Sequence, residues 1–128
     1  MVAKDECLAV VDRYVEAFTE GDKGAYLALF TDDATVEDPV GTDVHRGREA
    51  IAAFWDGVRS LSPVIRLAVT GPVRVAGREL AFPMQAISTI GDDKVVVDII
   101  DVFTITDDGR ISSMRAFWDF GDTRPFEG

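Results

Sequence analysis

Cysteine, histidine and positive charge are scarce in this chain of 128 residues, and each scarcity narrows what the protein can be. The one cysteine, Cys7, cannot form a disulfide bond within the chain, so nothing demands an oxidising compartment. The one histidine, His45, has no cluster of possible metal ligands at suitable spacing, and we expect no metal site. Lysine and arginine number 13 against 23 aspartate and glutamate, and the net charge of −10 argues against nucleic acid and anionic membranes as partners.

Long apolar runs are missing as well. No stretch approaches the roughly 18 apolar residues of a membrane-spanning helix. The first six residues carry charge and no apolar run follows them, which is not the pattern of a signal peptide. We therefore expect a cytoplasmic protein. With 47% hydrophobic and 28% charged residues, the composition is typical of a globular protein, and we expect one domain over residues 1–128.

Helical periodicity marks the first half of the chain. Four apolar positions at helical spacing are Val11, Tyr14, Val15 and Phe18. They predict a helix over about residues 5–20. Asp22 can cap a second, short helix that continues to Phe30. A third helix is predicted over about residues 48–60, with apolar residues along one side.

Strands and turns follow. Residues 31–33 are predicted to form a turn, residues 34–39 a short strand, and residues 39–47 a loop. Further strands, separated by glycine-rich and aspartate-rich turns, are predicted at 64–70, 73–75, 80–90, 95–106 and 111–120. The tail from residue 121 to residue 128 is expected to be frayed. This order predicts an α+β fold in which three helices pack in the concave face of a strongly curved, mainly antiparallel sheet, leaving an open mouth suited to a small molecule.

Two aspartates interrupt the most apolar of these strands, residues 95–103. So apolar a run predicts a strand buried on both faces. Because side chains alternate along a strand, Asp98 and Asp101 point to opposite faces, each among hydrocarbon side chains. An unpartnered ionised carboxylate is very costly there, so each is expected to be paired, hydrated or protonated. A protonated carboxyl can donate a hydrogen bond.

Polar side chains occupy three positions where an apolar residue is expected: Tyr14, Asp38 and Asp101. Each has an ordinary explanation. The tyrosine can be an amphipathic core residue, Asp38 can cap a turn before Pro39, and Asp101 can pair with an arginine or lie at a sheet edge. Together they also suit one reaction. A carboxylate can abstract a proton beside a carbonyl group, while a tyrosine and a protonated aspartic acid donate to the oxygen that becomes negative, without a metal.

Several motifs resemble those of the Δ5-3-ketosteroid isomerase family, within the broader nuclear-transport-factor-like, SnoaL-like cone fold. The matching segments are residues 13–15, the run DDATVEDP at residues 32–39, residues 47–49 with 51–54, residues 100–102 and residues 114–116. The similarity extends from about residue 8 to about residue 118. The cone fold alone would not indicate an activity, since it hosts isomerases, hydratases, cyclases, epoxide hydrolases and non-catalytic binding proteins.

The resemblance implies a catalytic arrangement. Asp38 matches the general base of the family, and Tyr14 and Asp101 match its two oxyanion-hole donors. The implied reaction moves a proton from carbon 4 to carbon 6 of a 3-oxo-Δ5-steroid through a dienolate, giving the conjugated Δ4 ketone. Related isomerases need no cofactor and are homodimers packed through their sheets. Tyrosines that support the oxyanion tyrosine in well-known members are replaced here by Phe30 and Trp55, which predicts an altered rate more than a lost function.

An apolar pocket wall is expected around these residues. The candidates are Val40, Phe54, Trp55, Phe82, Met84, Ile99, Phe103, Ala116 and Trp118, and core packing is the alternative for most of them. Trp118 is favoured because it matches an aromatic beside the catalytic carboxyls in the family. The expected ligand is a small, apolar, steroid-like molecule. Two other functions stay open: a non-catalytic binding module, or another cone-fold enzyme such as a cyclase or an epoxide hydrolase, for which no Asp-Arg-Asp-type set of water-positioning residues is evident in the expected walls.

Overall fold

Three helices and eight strands make up the part of the chain that the computed structural model describes, residues 3–127. The helices are α1 (Lys4–Glu20), α2 (Lys23–Ala28) and α3 (Arg48–Leu61). The strands are β1 (Phe30–Glu37), β2 (His45–Arg46), β3 (Val64–Val69), β4 (Arg74–Ala76), β5 (Glu79–Ile90), β6 (Asp93–Ile105), β7 (Ile111–Phe117) and β8 (Arg124–Pro125). A short 3₁₀ helix, Phe120–Asp122, precedes β8.

One sheet contains all eight strands. Its main path runs β2-β1-β7-β6-β5-β3, while β4 pairs with β5 and β8 pairs with β6. Only β1 and β7 run parallel among the described strands, and every other pair is antiparallel. Helix α1 packs against β3, and α3 packs against β1 and β2. The expected α+β cone fold, with three helices on a mainly antiparallel sheet, is therefore confirmed. No helix within residues 3–127 is long and apolar enough to cross a membrane.

The junction between α1 and α2 follows from two residues. Gly21 ends α1 in the left-handed conformation, with φ 69°, which glycine adopts without the clash that a Cβ atom introduces. A Cβ atom there would also lie 2.8 Å from the guanidinium group of Arg59. Asp22 then accepts a hydrogen bond from the backbone N–H of Ala25 at 3.0 Å, which confirms it as the cap of α2.

Strand β1 begins earlier than predicted. Residues 31–33 belong to the strand rather than to a turn, and Phe30 lies in β1 rather than in α2. The cause is a distant partner: Phe30 is fully buried and pairs with Ile111 of β7 in the parallel direction. The register shifts between Phe30 and Thr35, and this irregularity accommodates the aspartate-rich segment.

The chain beyond β7 forms a 3₁₀ helix and a short paired strand, so the expectation of a frayed tail is wrong for residues 121–126. Strand β7 ends at Phe117, three residues before the predicted end. Strand β8 pairs with Val95 and Val96 of β6. The guanidinium group of Arg124 also forms an ion pair with Asp98 at 3.0 Å. Residue 128 lies outside the described residues.

The outer face of β6 is buried at Val96 but exposed at Asp98 and Ile100, so the prediction of burial on both faces is wrong for the middle of the strand. Asp98 is exposed and is held by Arg124 and by the side-chain amide of Gln85, which donates to it at 3.0 Å. Ile100, on the same outer face, is 46% exposed. Asp101, on the inner face, is fully buried. The run of β-branched residues did not reveal this difference, because valine and isoleucine favour strands whether or not a second layer covers them.

Candidate active site

A cavity of about 270 Å³ lies between the helices and the inner face of the sheet. Its polar lining residues are Tyr14, Asp38, Ser62, Ser88 and Thr123. Aliphatic and aromatic side chains from α1, α3, β3, β5, β6 and the segment after β7 form the rest of the wall. No arginine, lysine or histidine is among the described lining residues. Such a wall suits a neutral, mainly apolar molecule with few polar groups.

Four of the nine expected wall residues line this cavity: Phe54, Met84, Ile99 and Trp118. The other five lie outside its lining: Val40, Trp55, Phe82, Phe103 and Ala116. Apart from Val40, which is partly exposed, these five are buried in the core. They support the cavity from behind, as Phe82 does by packing edge-on against Phe103 with ring centres 5.2 Å apart.

Asp38 follows the last residue of β1 and precedes Pro39 through a cis peptide bond. The backbone N–H of Val40 donates to the carbonyl of Ala116 at 2.8 Å, which keeps this segment beside β7 after the strand pairing ends. Trp118, two residues beyond Ala116, is thereby brought to Asp38. Its indole N–H donates to Oδ1 of Asp38 at 2.6 Å.

Opposing influences act on the pKa of Asp38. Desolvation in the apolar cavity raises the pKa above its ordinary value, because the charged form loses hydration. The hydrogen bond from Trp118 and the charge of His45 lower it, and desolvation is the larger influence. Asp38 is therefore a carboxylate with increased affinity for a proton, held in one orientation at the cavity wall.

Asp101 lies at the centre of β6, where its neighbours across the sheet are Phe82 of β5 and Ala116 of β7. It is fully buried, and neither carboxyl oxygen has a hydrogen-bond partner among residues 3–127. Burial raises its pKa well above the ordinary value, and the negative charge of Asp38 raises it further. The carboxyl does not line the cavity itself. It lies close enough to Asp38 for the two groups to influence each other's protonation.

Tyr14 is placed by α1, on the apolar stripe that made it conspicuous in the sequence. Its ring packs edge-on against Phe103, with ring centres 5.1 Å apart, and at a tilt against Phe18, with ring centres 5.3 Å apart. Because Phe103 is two residues from Asp101 on the same face of β6, the tyrosine lies beside the strand that carries the buried carboxyl. Burial raises the pKa of Tyr14 well above its ordinary value, followed by the charge of Asp101. The hydroxyl therefore stays protonated and available to donate.

The structure thus brings the three predicted residues together. Tyr14 and Asp38 line one cavity, and Asp101 lies behind its wall, within electrostatic range of both. A wider groove of about 520 Å³, lined by small and charged side chains of α1, α2 and the β6–β7 turn, contains none of them. Within residues 3–127 no three histidine, cysteine or carboxylate side chains form a group that could hold a metal ion.

Local sequence patterns did not single out the polar lining residues Ser62, Ser88 and Thr123, or the buried Tyr26. Thr123 was assigned to a frayed tail, and Ser88 gave no signal within a strand of mixed polarity. Tyr26 is fully buried beside Tyr14, with ring centres 6.3 Å apart. A tyrosine on the apolar stripe of a short helix is the same signal that drew attention to Tyr14.

Comparison with known proteins places this chain among SnoaL-like proteins, and two similar proteins illustrate the relationship. The SnoaL-like domain family matches residues 11–114. Steroid Delta-isomerase from Nocardioides simplex is 42% identical over 117 residues, which cover 91% of this chain and 93% of that protein. A solved structure similar to this chain is that of SalBIII, described as an epoxide hydrolase/cyclase-like enzyme with a role in pyran ring formation in the polyether salinomycin. The two structures superpose with a TM-score of 0.89 and share 30% sequence identity. The match covers 98% of this chain and 100% of the SalBIII chain.

Replacement of Asp101 by asparagine should change how stability depends on pH. A carboxyl whose folded pKa exceeds its unfolded pKa contributes its full stability below the unfolded value, here ordinarily 3.8, and loses it as pH rises toward the folded pKa. The wild type should therefore lose up to about 1.4 kcal/mol per pH unit over that window relative to Asp101→Asn. Urea unfolding of both proteins between pH 4.5 and 8 measures the difference.

Asp98→Asn is the matched control for this experiment, since Asp98 lies on the exposed face of the same strand. Its pKa is lowered by the hydrogen bonds from Gln85 and Arg124, so its removal should give no gain in stability at higher pH. Parallel pH profiles for the wild type and Asp101→Asn would contradict the raised pKa of Asp101.

Proposed function

We propose that this chain, which belongs to the SnoaL-like domain family, is a steroid Δ-isomerase that converts 3-oxo-Δ5-steroids to 3-oxo-Δ4-steroids. The observation that carries the proposal is that one apolar cavity contains both the carboxyl group of Asp38, whose pKa is raised, and the hydroxyl group of Tyr14. Asp101 lies behind the wall of this cavity. The similarity over most of the chain to a protein named Steroid Delta-isomerase supports it. A small hydrophobic substrate agrees with the apolar wall.

The first step is the removal of a proton from carbon 4 by Asp38. The C–H bond breaks, its electron pair enters the dienolate, and the proton resides on the carboxyl group. Desolvation favours this transfer because it raises the proton affinity of Asp38 toward the value that a base needs near neutral pH. The hydrogen bond from Trp118 fixes the acceptor oxygen in one orientation.

The negative charge that develops on the 3-oxygen is stabilised by two donors. Tyr14 donates through its hydroxyl at the cavity wall. Asp101 lies behind that wall in the empty cavity, so its role as the second donor requires that the bound ligand oxygen comes within reach of its carboxyl proton, which burial favours. In a low-dielectric site such hydrogen bonds strengthen as the charge develops, so they lower the barrier more than they stabilise the bound ketone. Asp38 then returns the proton to carbon 6. One C–H bond is broken and one is formed, so no other reactant is required.

Two alternatives share the fold. A non-catalytic binding protein would use the same cavity without turnover. An epoxide hydrolase or cyclase, suggested by the similarity to SalBIII, needs groups that orient a water molecule or an epoxide oxygen. No arginine lines the described cavity wall. Both oxygens of Asp101 lack partners among residues 3–127, so no group there would orient a water molecule. The polar side chains of the site therefore suit proton transfer better than hydrolysis.

Addition of 5-androstene-3,17-dione to the protein should increase the ultraviolet absorbance of the conjugated enone. Asp38→Asn should lower the turnover number by about 10²- to 10⁴-fold, because asparagine cannot accept the proton. Asp32→Asn is the matched control, since this carboxylate is on the same strand and its side chain is 90% exposed. A folded wild type that gives no absorbance increase above the uncatalysed rate would rule out the proposed reaction.

Replacement of Trp118 by phenylalanine should move the acidic limb of the kcat/KM profile to higher pH, by about one unit. The indole N–H stabilises the ionised form of Asp38, so its loss raises the pKa of the base, while phenylalanine preserves the aromatic wall. Phe120→Leu serves as a control, because Phe120 packs edge-on against Trp118, with ring centres 4.7 Å apart, but donates no hydrogen bond to the base. A shift of the same size in both variants would assign the effect to packing.

We also propose that two copies of the chain form a homodimer through the outer face of the sheet. Ile100 and Phe117 lie opposite each other on neighbouring strands and are 46% and 41% exposed. An apolar pair at the centre of an exposed sheet face is commonly covered by a partner. The resemblance to isomerases that associate through their sheets makes a second copy the expected one.

Sedimentation analysis should therefore give the mass of a dimer for the wild type, and Ile100→Lys should shift it toward the monomer by placing a charge in the contact. Val44→Lys is the control, since Val44 is 50% exposed in a loop outside the sheet. A monomeric wild type at micromolar concentration would contradict the proposed dimer.

A further inference from the structure

Tyr26 places a hydroxyl group in the core with nothing to bind. The residue lies in α2 and is 0% exposed. Among residues 3–127 the buried side-chain atoms without a hydrogen-bond partner are three: the hydroxyl oxygen of Tyr26 and the two carboxyl oxygens of Asp101. A phenylalanine would fill the same space without burying an unpaired polar group, so packing alone does not account for the hydroxyl.

Aromatic rings surround Tyr26 on several sides. Its ring centre lies 6.3 Å from Tyr14, 5.1 Å from Phe18, 5.0 Å from Phe30 and 4.7 Å from Trp55. Of these neighbours, Tyr14 carries a hydroxyl group and lines the cavity. The two phenolic hydroxyls form no hydrogen bond in the empty cavity, but rings at this spacing leave them within reach of a small side-chain rotation. Tyr26 is not among the described lining residues, so it offers Tyr14 a hydroxyl neighbour from within the core.

The other aromatic residues around Tyr26 do not offer Tyr14 a hydroxyl neighbour. Phe30 and Trp55 occupy the two positions where the resemblance to ketosteroid isomerases predicts supporting tyrosines. Phe30 has no hydroxyl group, and the ring of Trp55 lies under the guanidinium group of Arg59, 5.4 Å from its centre. Tyr26 contacts both of these rings. It brings a hydroxyl group into the aromatic cluster from α2.

Tyr26 lies within electrostatic range of the candidate active site, because the charges of Asp38 and Asp101 act on it. The pKa of Tyr26 is raised by burial first and then by the negative charges of Asp38 and Asp101. Tyr26 in turn contributes to the raised pKa of Tyr14. A proton donor in this position is held firmly in its neutral, donating form, and it lies within range of the charge that moves during the reaction.

We propose that Tyr26 is a positioning residue that acts through Tyr14: its hydroxyl donates a hydrogen bond to the phenolic oxygen of Tyr14 when that oxygen donates to a negatively charged ligand. The inference rests on the proposed oxyanion-binding role of Tyr14. As Tyr14 shares its proton with the ligand, its oxygen gains negative charge and becomes a better acceptor. A second donor behind it then stabilises the charge further, and hydrogen bonds linked in this way strengthen each other.

Tyr26→Phe tests the proposal. The turnover number should fall by about threefold to tenfold, the effect expected of one hydrogen bond, while KM stays unchanged because the bond strengthens only with the charge. The free energy of unfolding should stay the same or rise, since an unpaired buried hydroxyl is removed. An unchanged turnover number would overturn the proposal.

A second measurement does not depend on turnover. Substituted phenols of graded acidity bind as mimics of the charged intermediate, and ultraviolet absorbance gives the fraction that is ionised when bound. In Tyr26→Phe this fraction should fall for a given phenol, which a merely structural role would not produce. If the wild type binds phenolates but isomerises no steroid, the proposed function fails while this measurement still decides the role of Tyr26. A wild type that binds no phenolate overturns both.

Two further variants separate a hydrogen bond from packing. Phe30→Leu disturbs the same aromatic cluster without removing a hydroxyl, so it should lower stability and leave the ionised fraction unchanged. In a Tyr14→Phe background, Tyr26→Phe should have no further effect on turnover, because the acceptor is already absent. An equal loss in both backgrounds, or an equal change in ionised fraction for Phe30→Leu, would show that Tyr26 does not act through Tyr14.

Discussion

The burial of the Asp101 carboxyl is the constraint on which the rest of the site depends. Two carboxyl groups, Asp38 and Asp101, lie within electrostatic range of each other in an apolar surrounding, where the ionisation of one opposes the ionisation of the other. The position of each residue in the sheet determines which carboxyl group more readily keeps its proton. Asp101 is enclosed between Phe82 and Ala116 on neighbouring strands and has no hydrogen-bond partner among residues 3–127, which favours its neutral form. Asp38 faces the cavity and receives a hydrogen bond from Trp118, which favours its ionised form.

In the proposed reaction one residue type would supply two chemical functions, and the difference would come from the backbone around it. Asp38 lies just beyond the end of a strand, where the chain leaves the sheet and a side chain can reach the cavity. Asp101 lies in the middle of a strand with hydrogen-bonded neighbours on both sides, where its surroundings cannot rearrange to hydrate it. Asp98, three residues earlier on the outer face, shows the third outcome: exposure and an ion pair with Arg124, which together keep it an ordinary surface carboxylate.

Much of this arrangement could be predicted from local patterns, and the remainder depended on partners far along the chain. The apolar stripe that includes Tyr14 predicted α1, and the alternation of side chains around Asp101 predicted the inner face of β6. Both patterns repeat within a few residues, so they can be recognised locally. The early start of β1 depends on pairing with Ile111, and the ordered structure after β7 depends on pairing with Val95. Neither pairing produces a pattern in the neighbouring sequence. Tyr26 escaped notice because its ring suits an apolar stripe, and only the finished core shows that its hydroxyl lacks a partner.

The dry aromatic core has opposite effects on stability and on chemistry. By excluding water it makes Asp101 and Tyr26 costly to bury, and the fold must offset that cost through the packing of rings such as Phe18, Phe30 and Phe103. The same exclusion strengthens each hydrogen bond donated to a developing negative charge, because the donors do not compete with solvent and do not have to reorient. The groups that weaken the resting protein are thus the ones that would stabilise a charged intermediate. Replacing them with apolar residues of similar shape would give a more stable protein with a poorer oxyanion site.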